Sequence, residues 1–247
     1  MNKKQPLVMC LTNTVAQDIT ANALLAIGAK PAMVEGKSEA AELSAIADAM
    51  LINLGTVHPR QADAMLAAVS RGQTPWVLDP VAAHLLTYRR ELVQELLKYK
   101  PAIIRGNHAE IESLMGTVPS LAGSVPFESA VLSTGEIDRV FCKVGTDPQK
   151  VGTDPIEVRG GVEMLQKVTA TGCAQGAICA AFLGWGQSPV EAALSASKLM
   201  KQAGEIAWGR AKAPGSFRVA LLDALYELTH GGAGAELVHG GAGAEGV

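Results

Sequence analysis

Residues 168–173 read Val-Thr-Ala-Thr-Gly-Cys and lead into the small, apolar stretch 174–183. A small-residue turn at the mouth of a helix leaves backbone N–H groups free, the arrangement that an anion such as a triphosphate needs. Cys173 falls in the first turn of that helix. The partial positive charge of unpaired amides favours thiolate over thiol there, so a lowered thiol pKa is expected. Taken alone, Thr-Gly-Cys ahead of an apolar helix is more often a tight turn with a buried thiol. Other polar residues add weight. Asn13 follows the run 7–11, Asp79 follows Val77-Leu78, Arg105 follows Ile103-Ile104, and Thr134 follows Val131-Leu132.

If those runs are parallel strands, the polar groups share the rim beyond the strands' carboxyl ends, where ligands bind in open α/β sheets. With Glu110, the rim carries an amide, two carboxylates, a guanidinium, a hydroxyl and a thiol, a set suited to Mg²⁺ and a nucleotide. Hard Mg²⁺ takes oxygen ligands and keeps waters, which assigns it to Asp79 and Glu110, directly or through water. Arg105 and Thr134 would meet phosphate oxygens. The amides of Thr171, Gly172 and Cys173 would stabilise charge on a transferred phosphoryl group, and a Cys173 thiolate would take the acceptor's proton. Each residue also has a plainer reading: Asp79-Pro80 opens a turn, Asn107 and Glu110 form a capping box, Arg105 makes a surface ion pair, Thr134 is a turn hydroxyl and Met33 is core.

The elements that must hold these groups follow from periodicity. Short apolar runs alternate with longer periodic ones, the pattern of β-α units feeding a largely parallel sheet. Asp18 can cap a helix through Ile27 with Gly28 as its stop, and Met33-Val34 fits a strand. Ser38 can cap a helix to about Asp48, followed by a strand over 49–54, a helix over 59–70 and a strand over 75–78. A helix over 89–99, a strand over 102–104, a helix from Asn107 to Met115 and a strand over 130–132 come next. Ser188, Pro189 and Glu191 start a long helix ending near Gly209, and a last helix covers about 217–229.

The chain has 247 residues and a formal net charge of −3, with both signs spread along it. That argues for one α/β domain over residues 1–229 and against a nucleic-acid partner. No apolar run reaches bilayer-spanning length or forms a signal core, and the four cysteines lack paired metal spacing, so a reducing, cytoplasmic setting is expected. Residues 144–148 and 151–155 both read Val-Gly-Thr-Asp-Pro, and the 230–247 tail repeats His-Gly-Gly-Ala-Gly-Ala-Glu. Such a Gly/Ala-rich tail buries too little apolar surface to order itself, and mobility is expected of it.

The chain resembles the hydroxyethylthiazole kinase family through Leu-Thr-Asn at 11–13, Thr-Ala-Asn-Ala-Leu-Leu-Ala-Ile-Gly-Ala at 20–29, Pro-Ala-Met at 31–33 and Leu-Ile-Asn-Leu-Gly-Thr at 51–56. Leu-Asp-Pro-Val at 78–81, Ile-Arg-Gly-Asn-His-Ala-Glu-Ile at 104–111, Ser-Thr-Gly-Glu at 133–136 and Ala-Thr-Gly-Cys at 170–173 continue it in family order. The resemblance implies a ribokinase-like fold, mostly parallel with helices on both faces of the sheet. It also implies ATP-dependent phosphorylation of the alcohol of 4-methyl-5-(2-hydroxyethyl)thiazole in thiamin salvage, and a homotrimer with active sites at subunit interfaces. Met33, Asn13 and the backbone at Ala170 would contact the thiazole, Arg105 and Thr134 would bind ATP, and Asp79 and Glu110 would lie near Mg²⁺. Cys173 matches the cysteine that stands in place of the aspartate base usual in ribokinase-like enzymes.

Members of that family generally carry Gly where Ala170 stands and His where Met9 stands. The segment between Gly116 and Val131 is shorter than usual and is expected to lack a crossover helix. Two other readings stay open on these residues. One keeps the fold and changes the chemistry, to a kinase for another small alcohol or an ADP-dependent hydratase. The other is a nucleotide- or thiazole-binding homologue weakened at Ala170 and at the shortened segment.

Overall fold

A computed structural model of the chain describes residues 5–114, 129–142 and 155–231. The short apolar runs form β1 (Leu7–Leu11), β2 (Lys30–Met33), β3 (Ala49–Asn53), β4 (Trp76–Asp79), β5 (Ile103–Asn107) and β6 (Ala130–Thr134). Between them lie α1 (Thr14–Ala26), α2 (Lys37–Leu43), α3 (Pro59–Val69), α4 (Thr87–Leu97) and α5 (His108–Glu112). Beyond β6 come β7 (Asp138–Phe141), β8 (Ile156–Val158), a 3-10 turn over Glu163–Lys167, α6 (Thr171–Gly184), α7 (Pro189–Arg210) and α8 (Pro214–His230).

All eight strands join one sheet in the order β2-β1-β3-β4-β5-β6-β7-β8. The six from β2 to β6 are parallel; β7 and β8 add an antiparallel edge. Alternating side chains feed two cores, because strand residues point to opposite faces with period two. Val8, Cys10, Leu51 and Val77 pack with α1, α6, α7 and α8, whereas Met9, Leu11, Met50, Ile52 and Leu78 pack with residues of α2, α3, α4 and α5. Every residue of β3 and β4 is buried, as helices on both faces require. Fully burying a Leu or Ile such as Leu51 or Ile52 contributes about 1.5–3 kcal/mol, so the centre of the sheet is the stiffest part of the platform.

Several element boundaries differ from the sequence expectation. Helix α1 begins at Thr14, with Asn13 as its cap: the Asn13 side chain accepts from the Ala16 amide at 3.0 Å. Asp18 lies inside that helix, where it takes a hydrogen bond from Asn22 and pairs with Arg218. Helix α2 is capped by Gly36 without a side-chain bond, places Ser38 in its first turn and ends at Leu43. Strand β5 continues past Ile104 to Asn107, because Arg105, Gly106 and Asn107 keep pairing with Leu132, Ser133 and Thr134. The antiparallel pair β7 and β8 had no counterpart in the sequence reading. The shortened segment between Gly116 and Val131 falls almost wholly outside the described residues, as do the end of the Asn107–Met115 helix, most of the 144–155 repeat and the tail from 232.

Candidate active site

The parallel strands deliver their carboxyl ends to one edge, and the sheet order lays apolar Met33 and then the polar residues along it: Asn13, Asn53, Asp79, Arg105 and Thr134. Helix α6 brings its N-terminus, Thr171 to Cys173, against the middle of that row. A strand spacing of about 4.8 Å puts roughly 14 Å of edge between β2, which carries Met33, and β4, which carries Asp79.

Asp79 is the centre. Its side chain is 1% exposed, its Oδ2 accepts from Asn53 at 2.8 Å, and the same oxygen lies 3.5 Å from the Arg105 guanidinium. Its other oxygen, Oδ1, is buried with no hydrogen-bond partner of ordinary geometry among the described residues, and the Val81 backbone amide lies near enough to the carboxyl to favour its charged form. Burial pushes the Asp79 carboxyl up to about 6, with the nearby Glu110 carboxylate adding to the rise and Arg105 and the Asn53 amide opposing it.

Asn53 ties the centre together. Its amide N–H₂ also donates to the Cys173 sulfur at 3.3 Å, and its carbonyl accepts from the Gly55 amide at 3.0 Å and from Asn13 at 3.4 Å. Gly55 has to be glycine here, because a Cβ would stand 2.5 Å from Asn13 Nδ2 and 2.9 Å from Asn53 Oδ1. Asn53 lies inside the stretch quoted for the resemblance but drew no role. The available signal was an amide ending an otherwise apolar strand.

Arg105 is held flat against the start of α6. Its guanidinium donates to Thr134 Oγ1 at 3.0 Å and to Gln175 Oε1 at 3.2 Å, and its Nε finds no partner among the described residues. A Cβ on Gly172 would meet that guanidinium at 2.6 Å, so glycine permits the approach. Thr134 passes its own proton to the Gly106 carbonyl at 3.1 Å. Thr171 uses its hydroxyl to hold the preceding turn, donating to Leu165 O at 2.8 Å.

Glu110 shows both of its readings at once. It completes the capping box with Asn107, and its two oxygens accept from the amides of Asn107 and Ala82, each at 2.8 Å. It also lies close enough to Asp79 to raise that carboxyl.

One expectation changes. The Cys173 thiol is pushed up to about 12, first by burial and next by the Asp79 charge, which together outweigh Arg105, the Asn53 hydrogen bond and the helix-terminal amide. The shift runs opposite to the lowering expected of a helix N-terminus, and the resting group is a thiol. Ala170, the N-cap of α6, adopts φ +63 and ψ 13, the left-handed conformation that the family's usual Gly takes without strain.

Beside Arg105 opens a cleft of about 420 Å³ lined by Thr134, Gly135, Thr171, Gly172 and Lys201, among others. A neighbouring hollow of similar size, about 420 Å³, continues past Gly135 and Lys201 to Gly160 and Gly161. Met33 stands away from both, half-buried at the end of β2. Asp138, Gln175 and Lys201 line or underlie the cleft and were missed, because their partners are distant in sequence. No group of three or more metal-type side chains occurs among the described residues, and no described helix is long and apolar enough to cross a membrane.

The pattern of the hydroxyethylthiazole kinase family matches residues 1–231. A hydroxyethylthiazole kinase of Escherichia coli is 43% identical over 244 residues, covering 92% of this chain and 91% of that one. The solved structure of a hydroxyethylthiazole kinase from Pyrococcus horikoshii superposes with a TM-score of 0.80 at 35% identity, over 90% of this chain and 88% of the other. A pyridoxal kinase from Staphylococcus aureus, 17% identical with a TM-score of 0.58 over 82% of this chain and 89% of its own, shares the fold. The polar edge, the glycine-backed arginine and the helix-borne cysteine are thus carried by a chain that belongs to the hydroxyethylthiazole kinase family.

Proposed function

We propose that this chain transfers the γ-phosphoryl group of ATP to the primary alcohol of 4-methyl-5-(2-hydroxyethyl)thiazole, the salvage step that returns this ring to thiamin synthesis. The observation that carries the reading is the order of groups along the strand ends. Apolar Met33 and neutral Asn13 stand at one side, Arg105 with its open cleft stands at the other, and Asp79 and Cys173 lie between. A ring seated by Met33 and Asn13, against the backbone of Ala170, points its hydroxyethyl arm at Cys173. A triphosphate in the cleft points its γ-phosphoryl at the same place.

Phosphoryl transfer through a loose transition state asks the protein for alignment and charge stabilisation more than for bond-making. Arg105 supplies a guanidinium that is already oriented and has an unpaired Nε N–H. Thr134 offers its hydroxyl, and the amides of Thr171, Gly172 and Cys173 face the group in flight. As the alcohol oxygen bonds to phosphorus and the bond to the ADP oxygen breaks, the hydroxyl proton becomes strongly acidic and passes late to an oxygen of the transferred phosphoryl group. A neutral Cys173 fits that sequence as the group against which the hydroxyl rests, its sulfur accepting a weak hydrogen bond.

Mg²⁺ suits the centre. Asp79 Oδ1 is a buried acceptor without a donor of ordinary geometry, and the mutual repulsion of Asp79 and Glu110 is what a divalent cation relieves. Asp79 would hold the ion, with Glu110, whose oxygens already accept backbone amides, acting through water. The metal supplies neutralisation of the phosphate oxygens. We further assign the working unit to a cytoplasmic homotrimer in which a neighbouring subunit closes the thiazole side.

The test is ADP release coupled to a spectroscopic readout, with hydroxyethylthiazole, ATP and Mg²⁺, each omitted in turn, on protein of measured oligomer size. Turnover that requires all three is expected. Preferential turnover of a sugar or of pyridoxal over the thiazole alcohol would overturn the assignment.

A further inference from the structure

Behind Arg105 lies a buried polar chain that the mechanism above does not use. Gln175, on α6, gives its carbonyl to Arg105 at 3.2 Å and its amide N–H to Asp138 Oδ2 at 3.2 Å. Asp138, at the start of β7, is 3% exposed and takes three hydrogen bonds, from Gln175 and the Ser197 hydroxyl (2.7 Å) on Oδ2 and from the Gly135 amide (3.0 Å) on Oδ1, and its Oδ1 pairs with the Lys201 ammonium at 3.4 Å. Lys201, from α7 and 6% exposed, also donates to the carbonyls of Glu136 and Gly160, each at 2.9 Å.

The chemistry of these groups fixes their orientation. A carboxylate only accepts and a guanidinium only donates, so Gln175 has one satisfactory setting, N–H₂ toward Asp138 and C=O toward Arg105. Asp138 in turn cannot rotate out of place, because its second oxygen accepts from the Gly135 amide and pairs with the Lys201 ammonium. The amide of Gln175 therefore transmits the polarity of Asp138 to the guanidinium. Lys201 draws the turn after β6 and the chain leaving β8 around the same carboxylate.

We propose that Asp138 is a positioning residue for the nucleotide: through Gln175 it sets the guanidinium of Arg105, and with Lys201 it holds the cleft that receives the polyphosphate. This rests on the reading of Arg105 as a phosphate ligand and adds what holds it there.

In Asp138→Asn the carbonyl stays toward the Gly135 amide and the Lys201 ammonium, and the new N–H₂ faces Gln175. Gln175 then turns its own carbonyl toward that group and presents N–H₂ to Arg105, donor against donor. Losing a charged hydrogen bond of this kind corresponds to about a tenfold rise in the KM for ATP. The KM for the thiazole alcohol stays put. Adding Gln175→Glu restores complementarity, because a carboxylate at 175 accepts from both neighbours and the cluster keeps its net charge.

The experiment is steady-state kinetics with both substrates varied, and thermal melting, for Asp138→Asn, for the double variant Asp138→Asn/Gln175→Glu, and for Arg105→Lys. A raised KM for ATP in the single variant and its recovery in the double variant are expected. Should the single variant fail to fold, the double variant is still expected to fold and bind ATP. A lowered melting temperature with an unchanged KM for ATP, or no recovery in the double variant, overturns the proposal. An unchanged KM for ATP in Arg105→Lys would instead strike at the phosphate-ligand reading itself.

Discussion

The two sides of the strand-end row are built from opposite materials. The side proposed for the nucleotide joins Arg105, Gln175, Asp138 and Lys201 in a chain of charged groups linked by a neutral amide, nearly all of whose donors and acceptors are paired before any ligand arrives. The centre, around Asn53, joins two amides, a thiol and a carboxylate, and leaves Asp79 Oδ1 unmet and the Asp79 carboxyl pushed up to about 6. A paired charge network is stiff and specific, whereas an unpaired buried acceptor costs stability until something binds it. One side is thus preorganised, and the other stores an unmet demand that ligand binding satisfies.

The sharpest way to break this comparison is at the residue the two sides share. Arg105→Met removes the proposed phosphate ligand and, among the described residues, the one cation opposing the Asp79 charge at close range, and preorganised groups of this type contribute about 3 kcal/mol or more to a transition state. We expect kcat/KM for ATP to fall on the order of a hundredfold or more, read by the coupled assay. A variant within about threefold of the parent would show that the guanidinium is structural.

Gly172→Ala acts first on the nucleotide side. The added Cβ would lie 2.6 Å from one guanidinium nitrogen and 2.8 Å from the other, so Arg105 must shift by several tenths of an ångström. The expected result is about a tenfold rise in the KM for ATP with a smaller change in the KM for the alcohol. Equal changes in both would mean that the two sides are not independent.

Cys173→Ser probes the centre. With the thiol pushed up to about 12, Cys173 stays protonated through the neutral range. Because this pKa is raised above the ordinary thiol value, no thiolate population builds up as pH rises from about 6 to 9. The pH profile of kcat is therefore expected to have the same shape in both proteins, with turnover lowered about tenfold or less by the smaller, harder oxygen. An alkaline limb that vanishes with the sulfur would reinstate the thiolate.

What the sequence disclosed divides along the same line. Asn13, Asp79, Arg105 and Thr134 were legible because each ends or follows its own apolar run, and parallel pairing carries such ends to one edge. Asp138, Gln175 and Lys201 were not, since their side-chain partners lie 37 to 70 residues away and no local pattern marks them. The direction of the Cys173 shift was hidden for a related reason: a helix terminus is a local feature, but burial and the charge of Asp79 come from other strands. Asn13 illustrates a subtler limit. Either Asn13 or Asp18 can cap a helix, and the choice depends on where β1 ends, at Leu11.

Ala170 sits at the joint between the two sides, and its left-handed backbone, φ +63, is imposed on a residue with a Cβ. An L-residue in that region costs about 1–2 kcal/mol, partly offset by the lower unfolded-state entropy of Ala relative to Gly. Ala170→Gly is expected to stabilise the fold by about 0.5–1 kcal/mol, a rise of a few degrees in melting temperature. The same change removes a methyl from the backbone assigned to the thiazole, so a modest gain in turnover is expected with the KM for ATP unchanged. A gain in stability without a gain in turnover would place the strain outside the catalytic cycle. A loss of turnover would mean that the methyl group itself helps to seat the substrate, and that the left-handed turn is retained for contact rather than tolerated.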